Sequence, residues 1–191
     1  MGPVEIANIA LVEHLGANGI SDFEDDSSET ETVSAAYDAA RDEVLEAKDW
    51  PFASEWVEAQ KLAAAPVSPR HAAAYAKPTR AAAVREATDA SGGEVAWKPE
   101  GGNVLTEGAY DSILLRITSK ETDPALYSPG FVSAFALLLA ARMCVTLTEN
   151  EERARALEAL YRDALKTGGA RAGKQGTAER RTSSWLRDAR R

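Results

Sequence analysis

The chain has 191 residues, of which 45% are apolar, a single cysteine and a formal charge of −8. That length supports one compact domain plus an extension, and one cysteine excludes an internal disulfide. The longest apolar run, Phe131 to Ala141, is interrupted by Ser133 and followed by Arg142, so no membrane span is expected. With Glu5 early and no basic leader, the start does not read as a signal peptide.

Charge is graded along the chain. Residues 1–60 hold 15 acids and 2 bases, residues 61–150 hold 9 of each, and residues 151–191 hold 6 acids and 11 bases. A solvated face accounts for any one of these runs. The gradient as a whole suggests ends that meet different partners, or one copy's basic end meeting the next copy's acidic one.

The first predicted helix runs from Pro3 to Leu15, with Pro3 in its first turn and Gly16 at its stop. Ile6, Ile9, Ala10 and Leu15 form its apolar face. An acidic loop follows to Ser28, with Ile20 turned inward. Ser28 and Glu31 make a capping-box pattern for a second helix. Val33, Ala36, Tyr37, Ala40 and Val44 recur on one face of it, and it ends near Lys48 ahead of Pro51.

Phe52, Trp56, Ala59 and Ala63 share helical spacing, which predicts a third helix over 52–65 that ends at Pro66. Trp50 and Trp56 are expected in the core. Residues 66–80 read as a proline-bearing linker, and a turn or short helix is expected over Thr79–Glu86. Glu94–Lys98 and Asn103–Thr106 flank Pro99-Glu100-Gly101-Gly102 as a hairpin, and Ser112–Thr118 is a candidate third strand beside it.

A long helix from Pro129 to Thr148 carries Phe131, Phe135, Leu138, Leu139, Met143 and Leu147, and is the expected buried central element. Asn150 caps a last helix, whose stripe is Ala156, Leu157, Leu160, Tyr161, Ala164 and Leu165 and whose stop is Gly168-Gly169. Beyond it the basic tail holds two isolated apolar residues, Trp185 and Leu186. That composition cannot bury enough surface to fold alone, and a tryptophan beside arginines is the make-up of a binding hot spot. The expected fold class is therefore mainly α: a helical bundle over 1–170 with a small antiparallel β insertion near 94–118, and a C-terminal arm over 171–191.

No catalytic constellation emerges. His14 and His71 lack a cysteine or acid at ligand spacing. Cys144 falls inside the apolar helix, where a thiol is inert. The glycine pairs at 92–93, 101–102 and 168–169 lack phosphate-loop spacing, and Asp22–Asp26 lacks the alternating ligands of a calcium loop. No cofactor, metal or enzymatic activity is expected.

In this order the fragments resemble the head-to-tail adaptors of short-tailed bacteriophages, the tail tubular protein A family. Asn8, Ala10-Leu11, Leu15-Gly16 and Ile20 are similar to its opening. Tyr37–Leu45 is similar to its second helix, Trp50-Pro51-Phe52-Ala53 to its "W-x-F-A" junction, and Ala74–Pro78 to its "Y-x-x-P" segment. Leu105-Thr106, Leu114–Thr118, Asp123-Pro124, Phe131 and Leu137–Ala141 continue the likeness, which Tyr161–Leu165 and the basic tail complete. Thr79-Arg80 departs from the family's Asp-Cys-like pair.

The resemblance implies a virion protein of the phage neck. It would form a ring of about twelve copies between the capsid's portal protein and the tail nozzle protein, around a channel that DNA crosses without sequence-specific binding. An arm comprising Arg180, Arg181, Trp185, Leu186, Arg187, Arg190 and Arg191 would engage the portal. The rival reading is a nucleic-acid-binding protein that uses the same basic tail against phosphates.

Overall fold

In the computed structural model, residues 1–172 are described. They hold 46% helix and 22% strand, with two three-stranded antiparallel sheets. The fold is therefore α+β, and the expectation of a mainly α bundle is corrected. Two apolar cores lie side by side, one helical and one between the sheets.

The helical layer follows the sequence closely. Helix α1 (Pro3–Asn8) continues as a π-helical segment, Ile9–Leu15, which ends on Gly16 in the left-handed region. Asn8 then works like a piece of strand. Its side chain accepts from the Ile20 amide at 2.8 Å and donates to the Ile20 carbonyl at 2.9 Å, which pins the acidic loop and buries Ile20.

Helix α2 spans Ser28–Ala47 and is capped one residue earlier than expected, by Ser27, whose hydroxyl accepts from the Thr30 amide. Helix α3 (Pro129–Thr148) is capped by Ser128, and helix α4 (Glu151–Ala172) by Asn150. By length and apolarity α3 would suffice to cross a membrane, yet most of it is buried against α1, α2 and α4. An aromatic chain secures the layer. Phe131 meets Trp50 edge-on at 5.2 Å and Phe52 at 5.1 Å, and Tyr37 meets Phe135 at 4.9 Å.

Two expectations about α4 fail. Gly168-Gly169 does not stop the helix, because Gly168 packs against Gly130 of α3 and a side chain there is not needed. Leu160 is 54% exposed, so the buried stripe is carried by Leu157 and Tyr161.

The β half is larger than expected. Pro51–Ala53 is one turn of 3₁₀-helix, and the predicted third helix is instead strand β1 (Ser54–Gln60). Four apolar residues at helical spacing coexist there with an alternating pattern, and pairing decided between them. Glu55, Val57 and Ala59 register with Ile117, Leu115 and Ile113 on the side facing the β core, which turns Trp56 to the opposite side. Trp56 is 51% exposed, so its core assignment is corrected, whereas Trp50 is fully buried and donates to the Val44 carbonyl at 2.7 Å.

The linker contains β2 (Ala73–Ala76), and the stretch expected as a turn or helix is β3 (Ala81–Thr88). Both are alanine-rich, so their local preference is helical; partner strands override it. The hairpin is β4 (Trp97–Glu100) and β5 (Asn103–Thr106), joined by Gly101 and Gly102, both at positive φ as a tight primed turn requires. Strand β6 (Ser112–Ser119) does not join that hairpin. One sheet is ordered β1-β6-β3 and the other β2-β5-β4.

Candidate assembly surface

Strand β3 links the two halves through two irregularities. Its register with β6 skips Ala82 and Arg85, and an extra residue in a strand re-aims its side chain. Ala82 turns into the helical core. Arg85 reaches the end of α2, where its Nη2 donates to the carbonyls of Lys48 (2.7 Å), Glu46 (2.8 Å) and Leu45 (3.1 Å), and its Nε donates to Thr118 Oγ1 at 2.8 Å. A cation on the unpaired carbonyls of a helix end meets both their hydrogen-bonding need and the negative end of the macrodipole. Partial burial pulls the Arg85 pKa below its ordinary value.

The outward face of the first sheet carries a row formed by Trp56, Arg116 and Glu86, which are direct register partners across β1, β6 and β3. Arg116 is held from two sides, by Asp49 at 2.5 Å and Glu86 at 3.2 Å. Its charge is thus neutralised locally, and Trp56 stands beside it as a large exposed aromatic on a rigid strand. Aromatic and arginine side chains on a fixed scaffold are the composition of a protein-binding surface.

The exposed side of α4 differs. Glu151–Arg155 and Glu158–Arg162 are i,i+4 ion pairs, and Asp163–Lys166 an i,i+3 pair, an arrangement that supports a solvated helix face.

The structure scatters the residues screened for chemistry. His14 lies in the last turn of the π-helical segment, and its carbonyl accepts from Arg153 at 2.6 Å. His71 lies before β2, beside Arg70 and Trp97. Cys144 is fully buried, with its thiol 3.4 Å from the Asn150 carbonyl. Among the described residues no group of three histidine, cysteine or acidic side chains is placed to hold a metal.

The arm residues named from the sequence (Arg180, Arg181, Trp185, Leu186, Arg187, Arg190 and Arg191) lie outside the described residues. Trp56, by contrast, is a surface candidate that sequence reasoning missed. The available signal was the alternation of Glu55, Val57 and Ala59, which places Trp56 on the other face of a strand.

Compared with known protein families and with curated proteins, the sequence matches none.

Proposed function

We propose that this protein is a ring-forming structural connector of a phage neck, seated between the portal protein and the tail nozzle protein. The charge division carries the reading. Residues 1–172 hold 28 acids and 16 bases, whereas residues 173–191 hold 6 bases and 2 acids. A strongly acidic body with a basic segment attracts further copies head-to-tail, and such heterologous contacts close into rings when the rotation permits.

Two placements support it. The Trp50-Pro51-Phe52-Ala53 motif forms the junction between the helical and β halves, with Trp50 and Ala53 buried. Trp56, just beyond, offers a rigid aromatic contact for a neighbour. The arm over 171–191 docks on the portal through Trp185, Leu186 and the flanking arginines, and an acidic channel wall keeps passing DNA from adhering.

Mass measurement of the full chain, alone and mixed with purified portal, tests the reading. A ring-sized complex with portal is the expected result. No association, together with salt-sensitive retardation of DNA by the intact protein, would favour the nucleic-acid reading that rests on the same basic segment.

A further inference from the structure

A groove of about 550 Å³ opens between the π-helical segment and the first two turns of α3. Ile9, Tyr127, Val132 and Leu137 give it apolar walls, and Glu13 lies exposed along it. Met1, 61% exposed, stands at its mouth. A recess of this size and lining suits one or two large apolar side chains.

The course of the chain identifies an occupant. Helix α4 runs back along α3, and Gly168 packs on Gly130 in the first turn of α3, next to Pro129, which lines the groove. Gly168, four residues before the end of α4, is therefore close to the groove. Twelve residues, 173–184, then precede Trp185, and they reach up to about 40 Å when extended. Helix α3, with 20 residues, is only about 30 Å long. The whole groove lies within range.

Charge and composition agree. Trp185-Leu186 is the one pair of large apolar residues in 173–191, it is flanked by Arg180, Arg181 and Arg187, and the body it would meet is acidic. Attachment by a short linker supplies an effective concentration near the millimolar range, which favours the chain's own groove over that of a second copy.

We infer that in the free protein the groove between the π-helical segment and α3 holds Trp185 and Leu186 of the same chain. The pair is then shielded until a partner that binds it more tightly takes it away. This inference concerns the free protein and stands apart from the ring reading.

The test pairs Ser133→Cys, an exposed groove position, with Ser184→Cys in the full-length protein, with Cys144 left in its buried site. Ala39→Cys with Ser184→Cys is the control, since Ala39 is exposed on α2 outside the groove. Under mild oxidation the groove pair should form an intrachain disulfide about tenfold faster than the control or better. Adding Trp185→Ser and Leu186→Ser should return it to the control rate. Equal rates in the two pairs, or a rate advantage that survives the double serine change, would overturn the inference. Predominant interchain disulfide would overturn it in favour of a second copy as occupant. Should the cysteine variants fold poorly, hydrogen exchange on the cysteine-unmodified chain serves instead. Amides of 132–137 should exchange more slowly in the intact protein than in the Trp185→Ser/Leu186→Ser variant, and identical rates would refute the docking.

Discussion

Gly130 and Gly168 meet backbone to backbone, and the contact is lopsided: a Cβ on Gly130 would lie 3.1 Å from the Gly168 Cα, whereas a Cβ on Gly168 would meet Gly130 atoms no closer than 3.5 Å. The pair lets α3 and α4 approach closely at the end where the chain leaves the body. Gly130→Ala must push the two helices apart and should destabilise the protein by about 1–2 kcal/mol. Gly168→Ala fits and improves helix propensity, so it should be neutral or stabilising by up to about 1 kcal/mol. Urea unfolding of the two variants checks the opposite signs.

Arg85 should contribute more to stability than an ordinary surface charge. Arg85→Met leaves three carbonyls at the end of α2 and the Thr118 hydroxyl without their donor. We expect a loss of about 2–3 kcal/mol. Arg85→Lys should recover less than half of it, because an ammonium on a single stem cannot span the same fork of acceptors. A loss below about 0.5 kcal/mol for the methionine variant would show that the contact does not join the two halves energetically.

Trp56→Ala tests the sheet face. Because the side chain is half exposed, its removal should shift stability by no more than about 0.5 kcal/mol. It should nonetheless weaken assembly measurably, since exposed aromatic anchors dominate binding energy. Light scattering of wild type and variant with portal present reads the difference, and unchanged assembly would remove Trp56 from the interface.

His14 sets a shallow pH dependence. Burial lowers its pKa, an effect that Glu13 opposes and Arg153 reinforces. The folded state therefore binds the proton less readily than the unfolded state does. Stability from this group is complete above the ordinary histidine pKa of about 6.5. It declines as pH falls below that value and levels off once the folded-state pKa is passed. With the imidazole only partly buried, solvent screening keeps the change small. His14→Gln should flatten the slope of thermal midpoint against pH between about 5 and 7.

The helical half was legible because its signals are local. Pro3 and Gly16 bracket the first helix, the serine cluster before α2 marks its start to within one residue, Asn150 caps α4, and the 3.6-residue apolar spacing in α2 and α3 names residues that became buried, with Ala36 and Leu147 only partly so. These features act within a few residues of one another, so the chain carries them whatever it later touches.

Three strands of the β half, β1, β2 and β3, were decided by distant partners. Ser54–Gln60 supports helical and alternating readings alike, and only pairing with Ser112–Ser119, more than fifty residues away, selects the strand and turns Trp56 outward. Ala73–Ala76 and Ala81–Thr88 oppose their own alanine preference for the same reason. The amino-acid order by itself determined the positions of α1, α2, α3 and α4, the Asn150 cap and the division between an acidic body and a basic segment. The β4–β5 hairpin and strand β6 were legible too, from the glycine turn and the β-rich run. Strands β1, β2 and β3, the sheet order, the two skipped register positions on β3 and the groove beside α3 came from tertiary structure alone, because each needs a second surface before it exists.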